Sequence, residues 1–327
     1  MKDRILELLR QESGYLSGQE MSTLLGVSRA AVWKAVEALR KEGYTIDSAP
    51  NRGYHLDAPT GRLSAREIAA RLDGHPWAEL VQVLDSVDST NNLAKTLAAQ
   101  GAPAGTVIVA DSQTGGRGRM GRSFVSPPGV GVYLSVILRP EAPPEELMHL
   151  TCAVAEVLCD GIEVASGLRP GIKWTNDLVS GGRKLCGILT ELSLEAESGH
   201  VQYAVVGAGV NCDQTLSDFP PESRDMAGSL SMLTGKAVSR NALAAEMIRA
   251  LSRLDGDLVE NRQEWMDRYR RDCVTIGRAV SVSRAGETRW GQAVDVDDRG
   301  ALLVDFGQGP EAVQSGEVSV RGMYGYV

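Results

Sequence analysis

The sequence predicts a multidomain α+β protein: an N-terminal winged helix-turn-helix, a central mixed α/β region and a small C-terminal β-barrel. Three observations predict it. Two short amphipathic stretches flank a glycine turn near the N-terminus, strand-like and helical runs mix through the middle, and the closing segment is a series of strands between glycine turns. A length of 327 residues suits two or three domains. The expected boundaries are 1–59, 62–271 and 272–327.

In the first piece, Ile5, Leu6, Leu8 and Leu9 form the apolar side of a short helix. A second helix is expected from Gly18 to Leu25, with a tight turn at Gly26-Val27. Ser28 can cap a third helix whose buried stripe is Ala31, Val32, Ala35, Val36 and Leu39. A helix-turn-helix over Gly18–Glu37 follows, with Ser28, Arg29, Ala30, Trp33 and Lys34 on the outer face that would meet a DNA groove. Tyr44-Thr45-Ile46 and Gly53-Tyr54-His55-Leu56, joined by Ser48-Ala49-Pro50-Asn51-Arg52, read as a wing. The competing reading is a small helical bundle for protein contact. Asp57-Ala58-Pro59-Thr60-Gly61 reads as a linker.

In the central piece, strands are expected at Val81–Leu84, Thr106–Ala110, Val132–Leu138 and Tyr203–Gly207. Helices are expected at Asn91–Gln100, Glu145–Gly161 and Asn241–Glu260. The third piece should hold strands at Ala279–Arg284, Thr288–Asp297, Leu302–Phe306 and Ala312–Val320.

Composition narrows the class. Hydrophobic residues make up 43% of the chain, enough for a sizeable core, and no stretch is long and apolar enough for a membrane helix. The opening MKDRILELLRQESG does not read as a signal peptide. Five cysteines without a CxxC pair, and four scattered histidines, fit reduced thiols in the cytoplasm and argue against a disulfide or zinc framework. The net charge of −8 lies entirely beyond residue 57, because Lys2, Arg4, Arg10, Arg29, Lys34, Arg40, Lys41 and Arg52 balance Asp3, Glu7, Glu12, Glu20, Glu37, Glu42, Asp47 and Asp57. DNA contact by the first piece is therefore compatible with an acidic chain.

Four motifs carry candidate chemistry. Gly115-Gly116-Arg117-Gly118-Arg119-Met120-Gly121-Arg122 contains a formal GxGxxG after a strand, but Ser123-Phe124-Val125-Ser126-Pro127-Pro128-Gly129 cannot open a helix, so a dinucleotide fold is excluded. Arginines interleaved with glycines point to an anion, since glycine lets backbone amides approach it and guanidinium binds phosphate or carboxylate. Asp88-Ser89-Thr90-Asn91 opens a helix, either as an ordinary cap or as a grip on a polar ligand. Lys173-Trp174-Thr175-Asn176-Asp177 and Lys184-Leu185-Cys186-Gly187 read as two strands bringing Lys173 and Lys184 to one site, or as a hairpin with exposed lysines. Gly207-Ala208-Gly209-Val210-Asn211 ends a strand with small residues, as packing against a flat ligand requires. Gly235-Lys236 is followed by Ala237, which removes a phosphate-binding Walker loop, and no GxSxG occurs.

In this order the motifs resemble the bifunctional biotin ligase and biotin-operon repressor family. The matching residues are Ser89-Thr90-Asn91, Gln113 with Gly116-Arg117-Gly118-Arg119, the Lys173–Asp177 and Lys184–Gly187 segments, Gly207–Asn211, and the closing Gly316-Glu317-Val318-Ser319. The resemblance covers all three pieces. It implies a class II synthetase-like ligase domain and an SH3-like C-terminal barrel. It implies biotin and ATP as substrates with Mg²⁺, a biotin carboxyl carrier protein as acceptor, operator DNA, and a homodimer when the adenylate is bound. The implied catalytic residues are Arg117, Arg119, Lys184 and Lys173. Ser89, Thr90, Asn91, Gln113, Gly116, Arg117, Gly118, Arg119, Lys184 and Gly187 would bind biotin. Arg119, Arg122, Lys173, Asn176 and Asn211 would bind ATP, and Asp177 would contact Mg²⁺. The family usually has tryptophan at Phe124, proline at Thr175 and a basic residue at Met120. The rival functions are a ligase with a vestigial DNA-binding piece, a lipoate-type ligase and a non-catalytic ligand-sensing repressor.

Overall fold

The computed structural model describes residues 1–11, 15–41, 44, 46–49, 52–56, 61–195, 197, 199–284, 287–314 and 319–322, with 3, 10, 11 and 319–322 through the backbone alone. Contacts divide the chain into two compact units, Met1–Arg62 and Leu63–Val327.

The first unit runs α1 (Lys2–Gln11), α2 (Gly18–Leu25), α3 (Arg29–Lys41), β1 (Ile46–Ala49) and β2 (Gly53–Leu56). Helix α2 begins with a reciprocal Ser17–Glu20 capping box and stops at Gly26, whose φ of 65° is left-handed. Ser28 Oγ accepts from the Ala31 amide at the start of α3. Ile5, Leu6, Leu9, Met21, Val32, Ala35, Val36, Leu39 and Ile46 close a small core, with Ala31 only half-buried. The first wing strand runs later than Tyr44–Ile46: its ladder extends from Ile46 opposite Leu56 to Ala49 opposite Gly53, and Thr45 lies outside the described residues. The expected turn at Pro50-Asn51 and the linker at 57–60 fall outside the described residues. Gly53 lies against the main chain, since a Cβ there would sit 2.2 Å from the Leu16 carbonyl oxygen. Leu16 and Tyr54 exchange backbone hydrogen bonds beside it.

The second unit contains α4 (Ala65–Leu72), β3 (Val81–Leu84), α5 (Thr90–Ala99), β4 (Val107–Ala110), β5 (Gly131–Leu138), α6 (Leu150–Ser166), β6 (Gly171–Lys173), β7 (Asp177–Ser180), β8 (Arg183–Leu194), β9 (Val201–Asn211), α7 (Leu230–Thr234), α8 (Arg240–Ser252), α9 (Arg262–Asp272), β10 (Ala279–Arg284), β11 (Glu287–Val296), β12 (Leu302–Asp305), β13 (Pro310–Val313) and β14 (Ser319–Gly322). Seven strands form a mixed sheet in the order β3-β4-β5-β9-β8-β7-β6, parallel only between β3 and β4. The central strand β5 is buried at every position, and β9 beside it at most, as strands covered on both faces must be. Helix α5 covers one face through Ala94 and Ala98 on Ile108, Ile137 and Val205. On the other face, α4, α6, α8 and α9 share the main core with the sheet.

The expected helix at Glu145–Gly161 is displaced. A short turn occupies Pro144–Leu147 and α6 runs from Leu150, because Pro143 and Pro144 suit only a helix start. The expected Asn241–Glu260 helix ends at Ser252. The third piece forms an antiparallel sheet in the order β13-β12-β11-β10-β14. Val280, Val282, Ala293, Val296, Leu302 and Val304 lie in the same core cluster as α6 and α9, so the closing strands pack as part of the second unit. The closing Gly316–Val318 lies outside the described residues; Ser319 begins β14.

Candidate adenylating site

The site forms where the start of α5, the loop after β4 and the glycine-rich middles of β8 and β9 meet. Ser89 caps α5 in extended backbone but makes no side-chain cap bond, although it is buried. Gln113 Oε1 accepts from the Thr90 amide at 2.9 Å and from Thr90 Oγ1 at 3.1 Å, while Gln113 Nε2 donates to Ser126 Oγ at 2.9 Å. Asn91 Nδ2 donates to the Leu189 carbonyl and to Glu191 Oε2. Ser135 Oγ lies 2.7 Å from Thr90 Oγ1 and 2.6 Å from Asn91 Oδ1. Thr90 spends its one hydroxyl proton on Gln113, so the single Ser135 proton is shared between Asn91 Oδ1 and Thr90 Oγ1, both of which accept. Both donors of Asn91 are thereby spent on the protein. These bonds tie the helix start to β8, and Gln113 keeps one amide hydrogen unspent.

Small residues make room. A Cβ at Gly207 would meet Asn91 Oδ1 at 2.0 Å, and one at Gly209 would meet the Phe124 ring at 2.5 Å. Ser89, Thr90, Asn91, Gln113, Arg117, Phe124, Gly187, Leu189, Gly207 and Gly209 line a narrow cleft of about 30 Å³. That is room for about two water molecules.

The loop folds back on itself. Gly118 N donates to the Arg122 carbonyl, Phe124 N to the Gly116 carbonyl, and the turn places Met120 and Gly121 at φ of 55° and 72°. A Cβ at Gly116 would strike the Phe124 carbonyl oxygen at 2.2 Å. Gly118 begins the turn, and Met120 and Arg122 are exposed on it. Arg117 donates to Asn92 Oδ1 at 3.0 Å and lies 3.7 Å from Glu191. Arg119 donates to Asn176 Oδ1 at 3.0 Å. Burial lowers the Arg119 pKa, helped by Arg122 and opposed by Asp177, so the site desolvates a cation in advance of any anion.

Lys184 forms an ion pair with Asp177 at 2.6 Å and lies 5.9 Å from the Phe124 ring centroid. Lys173 ends β6 directly opposite Asp177, so the β6–β7–β8 ribbon brings Lys173, Asp177 and Lys184 to neighbouring positions. Between them the Trp174–Thr175 peptide is cis. Trp174 is held by Thr275 Oγ1 and the Gly300 carbonyl of the C-terminal strands. Thr175 Oγ1 is buried with no hydrogen-bond partner among the described residues. Asn211 Nδ2 donates to the Gly228 carbonyl at 3.0 Å. Asp177, expected as a magnesium contact, pairs with Lys184. Among the described residues no group of three or more His, Cys, Asp or Glu is placed to hold a metal ion.

Three contributors escaped the sequence reading: Ser135, Glu191 and Asn92. Ser135 had a signal, being the one hydroxyl of small size in the otherwise apolar run VYLSVIL. Burial raises the pKa of the Glu191 carboxylate, but hydrogen bonds from Lys95 and Asn91 outweigh it and hold the group below its ordinary value. The first unit carries a separate surface. Ser28, just before α3, and Arg29, Ala30, Trp33 and Lys34 on it are all exposed, and Arg29, Ala30 and Trp33 line a cleft with Ser17, Gly18, Gln19, Tyr54 and Arg40.

Residues 83–211 match the biotin/lipoate A/B protein ligase family, residues 2–55 an HTH domain and residues 275–321 the biotin protein ligase C-terminal domain. Proteins named bifunctional ligase/repressor BirA from Bacillus spizizenii and Bacillus subtilis are each 35% identical to this chain, over 98% of both sequences. The chain belongs to the bifunctional biotin ligase/repressor family. A biotin protein ligase from Aquifex aeolicus, solved in complex with biotin and ATP, is 27% identical with a TM-score of 0.61, covering 74% of this chain and 98% of that one. All five cysteines are buried. No helix among the described residues is long and apolar enough to cross a membrane.

Proposed function

We propose that this protein is a biotin–protein ligase and a biotin-responsive repressor. The carrying observation is the convergence of Arg119, Lys184 and Lys173 beside the neutral, hydrogen-bonded start of α5. In the first reaction a biotin carboxylate oxygen attacks the α-phosphorus of ATP. The bond to the β-phosphate bridging oxygen breaks, giving biotinyl-5′-adenylate and pyrophosphate. In the second, the neutral amine of a carrier-protein lysine attacks the acyl carbon and AMP leaves.

Two anions must approach each other in the first step. Arg117, Arg119 and Lys184 neutralise them, with Lys173 and Arg122 on the polyphosphate. Ser89, Thr90 and Gln113 receive the ureido ring, backed by Asn91, while Gly116, Gly118 and Gly187 let main chain and ligand approach. Asn176 and Asn211 complete the nucleotide end. Mg²⁺ would come with ATP and screen its phosphates, with Asp177 the residue of this chain placed to contact it. Closure of the 115–124 loop excludes water from the adenylate. Residues 62–271 carry this chemistry, 272–327 brace the Trp174 segment, and 1–59 bind operator DNA. The protein works in the cytoplasm, and adenylate binding favours a homodimer that offers two copies of α3 to a two-fold operator.

Biotin-dependent pyrophosphate release from ATP, followed by labelling of a carrier domain, tests the ligase. A variant neutral at positions 117, 119 and 184 that labels its acceptor as fast as the parent overturns it. Operator affinity should rise with biotin plus ATP and fall with salt. An unchanged titration removes the repressor role and leaves the ligase standing.

A further inference from the structure

We propose that Arg183 is a positioning residue for Lys184, acting by locking the 219–228 segment onto the start of β8. The proposal rests on the assignment of Lys184 to the adenylating centre. Strands β7 and β8 are joined by Gly181 and Gly182, both at positive φ, so Lys184 stands only two residues from a glycine hairpin tip. Across this hairpin Leu178 faces Cys186 and Val179 faces Lys184, which makes Leu185 the extra residue of a β-bulge. A bulge redirects side chains but also loosens the ladder where it sits. Something else must fix the Lys184 backbone.

The 219–228 segment supplies the hold. Lys184 N donates to the Met226 carbonyl at 2.7 Å, and Gly228 N donates to the Lys184 carbonyl at 3.0 Å, a parallel bridge centred on Ala227. From the β9 side, Asn211 Nδ2 reaches both the Gly228 and the Lys184 carbonyls. This segment has no regular element of its own between Arg224 and Gly228. Besides the Met226 and Ala227 amides on the Ser223 carbonyl, it is held by the Arg183 guanidinium, whose NH1 donates to the Arg224 carbonyl at 2.7 Å and to the Ala227 carbonyl at 2.9 Å. Gly228 is needed for the same fit, because a Cβ there would come within 3.0 Å of Arg183 Cβ and 3.2 Å of Cδ. Arg224 in turn donates to the Phe219 carbonyl.

Strand geometry explains how one residue can brace the next. Successive side chains on a strand point to opposite faces. Arg183 therefore works on the 224–228 main chain while the Lys184 ammonium reaches Asp177 and the Phe124 ring. Arg183 need not touch substrate to affect the reaction. A charge displaced by about 1 Å from the reacting phosphate loses much of its effect on the barrier.

The test compares the full-length parent with Arg183→Ala by two readouts. Amide hydrogen exchange should quicken at Lys184 and across 226–228 in the variant and stay unchanged in β5. Biotin-dependent pyrophosphate release should lose kcat by about 10- to 100-fold, with the KM for biotin within about threefold of the parent. Unchanged exchange at Lys184 overturns the proposal, as does a kcat within about twofold of the parent. Faster exchange throughout the unit, with kcat and biotin affinity lost together, also overturns it in favour of a folding role. A parent that releases no pyrophosphate would sink the ligase reading instead, while the exchange measurement still decides whether Arg183 holds Lys184.

Discussion

The two ends of the cleft are built differently. At the α5 end, Thr90, Asn91, Gln113 and Ser135 are buried or half-buried and hydrogen-bonded to one another. At the cationic end Arg119 rests on Asn176 and Lys184 on Asp177, while Arg117 lies between the two ends, on Asn92 of α5 and Glu191. A neutral group buried without partners costs about 1–3 kcal/mol, so neutral recognition groups are best fixed before the ligand arrives. A cation can wait on a half-exposed carboxylate or amide at little cost and change partners when phosphate arrives. The neutral end is thus preorganised and the charged end provisional. Glu191 joins them, since it holds both Asn91 and Arg117.

The strongest challenge to this division is Lys184→Ala. Biotin-dependent pyrophosphate release should slow by about 100- to 1000-fold, roughly 3–4 kcal/mol of transition-state stabilisation. Biotin affinity measured without ATP should barely change; an equal loss in both would erase the distinction between the ends. Ser135→Ala probes the opposite side. It strands the Asn91 oxygen in a buried position, and biotin affinity should fall by about 5- to 30-fold, or 1–2 kcal/mol. Calorimetric titration would show it, and an unaltered affinity would mean the α5 end is not preorganised by this bond.

Glu191 allows a pH test with a smaller effect. Its pKa is held below the ordinary 4.5, so its contribution is complete above that value and is lost as pH falls through the lowered pKa. Biotin affinity of the parent should therefore hold steady from neutral pH down to the ordinary carboxylate range and drop below it. Glu191→Gln should remove that drop. Smallest of all is the stability effect of Arg117→Gln. Its ion pair is partly exposed at 46% and 24% for the two side chains and long at 3.7 Å, so thermal unfolding should shift by no more than about 0.5 kcal/mol equivalent. A larger loss would show Arg117 to be a fixed structural cation.

Local elements were legible where a cap or a period marked them. Helix α2 runs from Gly18 to Leu25 as the glycine turn and the capping Ser17 require, and β2, β3 and β10 follow their alternating or apolar runs. Misplaced boundaries have local causes. Pro143 and Pro144 delayed α6, and the apolar residues after Ser252 form turns instead of continuing α8. Helix α9 went unread because charged residues crowd it: Trp265, Met266 and Tyr269 are its buried side amid arginines and acids.

By itself the sequence determined the chemistry present: an arginine-glycine loop, a hydroxyl-rich helix start, two lysines near strands and a helix-turn-helix with exposed Arg29, Trp33 and Lys34. Those follow from residue type and short-range spacing, which a chain carries with it unfolded. Only the tertiary structure decided the pairings. Asp177 meets Lys184, Asn91 spends its amide on Leu189 and Glu191, and Phe124 settles on Gly209. Each joins segments from different strands or loops, and sheet order and register set those distances where local propensity cannot.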